Sequence, residues 1–255
     1  MTRHLTAQPS RILGRPYKGV VEVSALLALY GLYEVVRGFG STSFAAARAH
    51  TDAIVALERS LHVFGEAAVQ DWASRIPLLP GLLGLAYITL HLAATSAVLV
   101  WVYRSHRAQF AVVRTSLVIS TAIALVVYVV YPAAPPRLAG LGFADTVSEQ
   151  AHVNLSSDLL GSFYNPFAAV PSLHFGYALL VGLVVARLAR NRVARTLGAV
   201  YPAFMLFTIV ATGNHFVFDA AAGGIVTVAG FMAARRLAAP KPDRQEAAGF
   251  AAALC

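Results

Sequence analysis

The apolar residues of this 255-residue chain run in blocks long enough to cross a lipid bilayer. A spanning helix needs roughly 20 mostly apolar residues. Candidates lie at about 19–36, 82–103, 109–131, 173–189, 196–212 and 216–234. The first holds Glu22 and Glu34, and the last has Asp219 close to its start. Backbone in hydrocarbon must satisfy its own hydrogen bonds, which leaves helices or closed barrels. The ten-residue alternating strands of a barrel are missing from the pattern. The expectation is an all-α polytopic membrane protein, a bundle of six transmembrane helices in one domain over 1–255.

Composition excludes the soluble alternative. Hydrophobic residues make up 58% of the chain and charged residues 13%, against about 25% charged in ordinary soluble domains. The formal charge of +8 raises the question of nucleic acid. The basic residues, however, stand in short runs between apolar blocks, as in loops that face anionic lipid. No nucleic-acid partner is expected; the bilayer itself is. With the N-terminus placed in the cytoplasm, 15 of the 20 basic residues fall inside. Arg37, Arg48, Arg59, Arg75 and Arg137 remain outside. The positive-inside rule therefore predicts a multi-pass plasma-membrane protein with both termini cytoplasmic. No convincing cleavable signal precedes the first block. The lone cysteine, Cys255, allows no internal disulfide, and the segment 238–255 reads as a disordered tail.

Two outer segments are long. In 45–76, Ile54, Leu57, Leu61, Phe64, Ala68 and Trp72 recur at steps of three or four, with charges on the other face. That spacing predicts one or two amphipathic helices lying on the outer leaflet, broken at Gly65. The segment 132–170, rich in Pro, Gly, Ser and Asn, reads as an ordered outer loop, since connections of this length usually serve a function.

Three clusters carry the chemistry: PPRL at 135–138, VPSLHF at 170–175 and GNHFVFD at 213–219. Each falls at an outer helix end, so the expected bundle sets all three at one membrane depth. His215 and Asp219 are four residues apart and share a helical face. A carboxylate there can fix the histidine tautomer and leave the other ring nitrogen as a nucleophile. The pair can equally be a helix end satisfying itself, or part of a metal site, though no further ligand set stands at suitable spacing. Ser172 is a good N-cap, and the helix start behind it would attract a phosphate. His174 there can protonate a leaving oxygen, or be a plain interfacial histidine. Arg137 can clamp phosphate oxygens with its planar fork, or snorkel to the headgroups. Tyr87 and His91 share a face of the second helix, and Glu34 can pair with Arg37; both read as packing or helix–helix polar contacts. His50, His62 and His152 read as solvated.

Across these clusters the sequence resembles the type 2 phosphatidic acid phosphatase superfamily. It is most similar to the branch containing inositol phosphorylceramide synthases, whose sphingomyelin-synthase relatives share a His-His-Asp triad. The resemblance covers the second to the sixth helix and extends to LERSLHVFGE at 57–66 and to Tyr87–His91. It implies that His215 attacks phosphorus and forms a phosphohistidine, oriented by Asp219. It implies that His174 protonates the departing alcohol and that Arg137 binds the phosphoryl oxygens. Ser172 and Asn214 complete the expected phosphate-binding set. No metal or other cofactor is implied, and the substrate is a lipid phosphate or phospholipid.

The chain departs from the phosphatase pattern. Val130 stands where that pattern has a lysine, Leu138 where it has a proline, Leu173 where it has a glycine, and Ile209 where it has an arginine. A phosphoryl centre needs positive charge around its oxygens, so these departures favour a transferase passing a phospho-headgroup to an alcohol. The alternatives are a lipid phosphate phosphatase with water as acceptor and, from other classes, a transporter or scramblase, or a non-catalytic scaffold. The paired repeats and broken midplane helices common in secondary transporters are not seen, and the polar cluster sits at one face.

Overall fold

A computed structural model of the chain describes residues 44–150 and 166–238, together with Ser24 and Gly31. The expected first span at 19–36, apart from those two residues, lies outside the described residues. So do Glu34, Arg37, His152, the middle of the 132–170 loop and the tail from 239 onward.

The described elements are helical. In chain order they are α1 (Phe44–Ser60), α2 (Glu66–Ser74), α3 (Leu79–Ser105), α4 (Arg107–Val130), a 3-10 turn (Pro136–Leu138), α5 (Thr146–Gln150), α6 (Leu173–Leu188), α7 (Arg192–Ala211) and α8 (Val217–Ala238). Four of them, α3, α4, α7 and α8, are long and apolar enough to cross a membrane. The protein is an integral, multi-pass helical bundle. The apolar α6 is shorter, at 16 residues. At 1.5 Å rise per residue it covers about 24 Å, less than the roughly 30 Å of a hydrocarbon core.

Local chemistry explains where these helices begin. Asn191 caps α7 by accepting from Val193 N at 2.8 Å. Ser172 caps α6 by accepting from Phe175 N at 3.4 Å. α3 starts behind Pro77 with Pro80 in its first turn, where a missing N–H costs nothing. His106 ends α3 and opens α4.

In the bundle, α8 packs along α4 and α6, and α6 packs along α7. Small residues let the backbones close in, as in other membrane bundles. A Cβ at Gly223 of α8 would collide with the Ser172 backbone, meeting its carbonyl carbon at 2.9 Å. The resulting contact carries a hydrogen bond from Ser172 N to Asp219 O at 2.9 Å.

Among the described residues, Arg48, Arg59, Arg75 and Arg137 lie at the end where α6 and α8 begin. The other nine arginines lie towards the opposite end.

The 45–76 segment is amphipathic as expected, but its inward face is more polar than its apolar periodicity suggests. It forms two helices, with Gly65 as the N-cap of α2. Leu57, Leu61 and Trp72 are exposed as an amphipathic face should be. The inward face, however, carries Thr51, Glu58, Glu66 and Gln70 beside Ile54, Val55 and Ala73. Those polar side chains turn inward because other segments offer them backbone partners. Thr51 Oγ1 donates to Ala134 O at 2.9 Å and accepts from Ala134 N at 2.9 Å. Gln70 Oε1 accepts from Ala144 N at 2.9 Å. His50, expected to be solvated, bonds Pro132 O through Nδ1 at 2.7 Å and stacks on Tyr131 with centroids 4.1 Å apart.

Candidate active site

The three motif segments meet at one end of the bundle. The chain before Arg137 runs beside the chain before Ser172. Ala133 N donates to Phe167 O at 2.8 Å, and Ala169 N donates to Ala133 O at 3.4 Å. Tyr128 Oη donates to Pro171 O at 2.8 Å and pins the second segment to α4. The third segment follows α7. Gly213 has φ +67, a left-handed conformation natural to glycine. It turns the chain so that its carbonyl accepts from Arg137 N at 3.0 Å.

His215 and Asp219 are both buried. His215 Nδ1 lies 3.2 Å from Asp219 Oδ2, which also accepts from Phe216 N at 3.0 Å. An oxygen acting as acceptor there assigns the proton to Nδ1, so that Nδ1–H donates and Nε2 carries the lone pair. Nε2 is buried and has no hydrogen-bond partner among the described residues. A buried polar atom left unpaired is costly and marks a place where a ligand atom would be welcome.

The ring of His174 faces this nitrogen's ring, with centroids 5.6 Å apart. It is packed between two residues of α3. Tyr87 stacks on it at 4.2 Å with planes 16° apart, and His91 approaches to 4.0 Å at 54°. His91 Nδ1 bonds Tyr87 O at 3.0 Å, which orients its ring. The i, i+4 spacing of Tyr87 and His91 was visible in the sequence. What they pack against was not.

Arg137 is held by two acceptors. Its Nε donates to Asn214 Oδ1 at 2.9 Å, and its Nη1 donates to Asp145 Oδ2 at 2.9 Å. Asn214 is fixed in turn, its amide donating to Thr212 O at 3.2 Å and Thr212 Oγ1 at 3.0 Å. Asn214 therefore spends its polar atoms on the protein and holds the arginine. Asp145 has no signal of its own in the sequence, since it stands in a loop of small residues. It also accepts from Ser148 N and Ser148 Oγ, at 3.2 and 3.0 Å.

Two more acids reach the site from α1 and α2. Glu66 Oε1 accepts from Val217 N at 3.0 Å and Glu58 Oε1 from Phe218 N at 2.6 Å. The start of α8 is thus capped by the protein's own carboxylates. The start of α6 lacks such a carboxylate cap among the described residues and keeps Ser172 as its capping side chain. No group of three His, Cys, Asp or Glu side chains is placed to hold a metal among the described residues.

A family profile described as the PAP2 superfamily matches residues 52–233, from within α1 to within α8. The chain belongs to the PAP2 superfamily. No curated protein and no solved structure matches it. As a PAP2-superfamily member embedded in a membrane, the protein is a phosphoesterase or phosphotransferase in the broad sense. The matched stretch contains Arg137, Ser172, His174, Asn214, His215 and Asp219, and also Glu58 and Glu66.

Proposed function

We propose that this PAP2-superfamily protein transfers a phosphoryl group or phospho-headgroup from a membrane lipid to an alcohol through a phosphohistidine. The observation that carries the reading is the buried, unpartnered Nε2 of His215, with its other nitrogen held by Asp219 and the His174 ring 5.6 Å away.

In the first step the Nε2 lone pair forms a bond to phosphorus as the bond from phosphorus to the lipid alcohol oxygen breaks. The departing oxygen takes a proton from His174. In the second step the acceptor hydroxyl gives its proton to His174, its oxygen bonds phosphorus, and the N–P bond breaks. Asp219 stabilises the positive charge that develops on His215 during attack. Arg137, pre-set by Asn214 and Asp145, takes the phosphoryl oxygens, with the start of α6 behind Ser172 as a further donor set.

The room between the rings has a mechanistic consequence. Attack needs one ring nitrogen about 3–3.5 Å from phosphorus, and the other within about 2.6–3.2 Å of the leaving oxygen. His215 is tied to Asp219, so the adjustment that brings both nitrogens to these distances falls on His174, packed against Tyr87 and His91.

An alcohol acceptor is favoured by the departures from the phosphatase pattern at Val130, Leu138, Leu173 and Ile209, which resemble the branch containing the inositol phosphorylceramide synthases. Ile209 is buried and apolar, and its carbonyl accepts from Asn214 N and His215 N at 3.1 Å each. A positive side chain is therefore absent at that position. The helices α1 and α2 lie over the start of α8 and would help exclude water, which decides between hydroxyl acceptors.

The test is to incubate purified protein in mixed micelles with phosphatidic acid and with labelled phospholipids, with and without inositol, glycerol or a second lipid alcohol. Acceptor-dependent product, and its loss in His215→Ala, is the expected result. Rapid release of free phosphate or phospho-headgroup whatever the acceptor would make the protein a hydrolase. Absence of turnover with lipid movement between leaflets would make it a scramblase.

A further inference from the structure

The chemistry above leaves two buried acids without a role. Glu58 and Glu66 are each 1% exposed, although they belong to a segment whose pattern reads as interfacial. Each gives one carboxyl oxygen to a backbone N–H at the start of α8. With Asp219 added, three carboxyl groups take three consecutive donors: Phe216 N, Val217 N and Phe218 N.

A helix start welcomes negative charge, but its terminus is equivalent to only about half a positive charge. Three ionised carboxylates in one buried site are more than it offsets, and desolvation penalises each of them. The atoms show how the excess is relieved. Glu58 Oε2 is buried with no donor among the described residues, whereas both Glu66 oxygens accept from backbone N–H groups, Oε1 from Val217 N at 3.0 Å and Oε2 from Gly65 N at 2.9 Å. The carboxyl with an oxygen left unpaired is the one that burial favours in its neutral form. Burial first, and Glu66 beside it, push Glu58 up to about 8. The other charged group facing the pair is Asp219 on α8, itself bonded to His215. On α1, the neighbouring Arg59 is exposed and lies over the Phe64 ring at 5.0 Å.

We propose that Glu58 and Glu66 are positioning residues for the reaction, a pair of buried carboxyl groups that clamps the first turn of α8. Through that turn the pair sets where the Asp219 carboxylate, and with it His215 Nε2, stands relative to His174. A slip of this turn by one residue would rotate Asp219 by about 100° and break its bond to His215. The proposal rests on the reading of His215 as the nucleophile. It adds that a segment outside the three motifs keeps the nucleophile aligned.

The experiment compares Glu58→Gln with Glu58→Ala in the full chain, purified in detergent, with phosphatidic acid as probe. Glutamine keeps the acceptor oxygen for Phe218 N and carries no charge, so it imitates the protonated acid. Glu58→Gln is expected to keep kcat within about threefold of wild type and to lose any fall in kcat that wild type shows as pH rises through about 8. Glu58→Ala is expected to lower kcat about 10- to 100-fold, the scale of a small misplacement, at unchanged KM. Hydrogen exchange of the amides of Val217 and Phe218 should quicken in Glu58→Ala and stay slow in Glu58→Gln.

Equal damage in both variants would overturn a proton held on Glu58. Unchanged exchange in Glu58→Ala would overturn the clamp. If wild type fails to turn over the probe while exchange responds as stated, the reading of His215 fails and the clamp stands.

Discussion

Arg137 Nε donates to Asn214 Oδ1 at 2.9 Å, and this bond joins the arginine of one motif to the residue beside the histidine of another. In the proposed mechanism this bond couples phosphate binding to the position of the nucleophile. Asn214→Ala should therefore lower kcat/KM by about 10- to 100-fold, because a charge-assisted hydrogen bond worth about 1.5–3 kcal/mol is removed. Arg137→Lys should lose more, since one ammonium cannot keep both the Asn214 and Asp145 bonds in a planar fork. Steady-state kinetics with phosphatidic acid checks both, and equal rates for wild type and Arg137→Lys would remove the arginine from the site.

His215→Ala should abolish turnover and the acid-labile phosphoenzyme together. Asp219→Asn should lower kcat by about 10²–10⁴, less than His215→Ala, because the nucleophile remains while its tautomer is no longer enforced. Labelled-phosphate trapping in alkaline denaturant, where the N–P bond of a phosphohistidine survives, reads this directly. A phosphoenzyme that survives His215→Ala would place the covalent step elsewhere.

Tyr87 supplies a stacking surface to His174 at 4.2 Å. A pair of this kind contributes about 0.5–1.5 kcal/mol beyond its burial. Tyr87→Phe should keep most of the activity because the ring is retained. Tyr87→Ala should lower kcat about 10-fold as the His174 ring loses its orientation. A Tyr87→Phe enzyme as slow as Tyr87→Ala would show that the hydroxyl, not the ring, matters.

Gly223→Ala tests the approach of α8 to the Ser172 backbone. The added carbon has backbone against it, not a flexible side-chain tip. Overpacking of this kind costs about 1–3 kcal/mol, so the thermal midpoint in detergent should drop by several degrees with loss of activity. An unchanged midpoint would mean the two helices part at little cost.

The pH dependence of stability follows from Glu58. Its pKa in the folded protein is raised from 4.5 to about 8, so the folded state holds a proton that the unfolded chain releases. Its contribution is complete below about pH 4.5 and is lost progressively as pH rises through about 8. Melting curves should show wild type losing stability relative to Glu58→Gln across that window. A constant difference between the two would contradict a proton held on Glu58.

The sequence by itself determined the environment and the candidate chemistry. Apolar blocks of spanning length require helices in a bilayer, because backbone groups there must pair locally. A His–Asp spacing of four places both on one helical face wherever the helix ends up. Ser172 and Asn191 cap helices for reasons confined to a few neighbouring residues. What only tertiary structure decided is which faces meet. Glu58 and Glu66 have the composition of an amphipathic helix's wet side, and periodicity counts residue types without knowing that a distant N–H lacks an acceptor. Tyr87, His91 and Asp145 likewise depend on partners 8 to 87 positions away, at Arg137 and His174. Those partners become neighbours only when α3, α6 and the outer loop pack together, and burial then turns ordinary polar side chains into ones that must be paired.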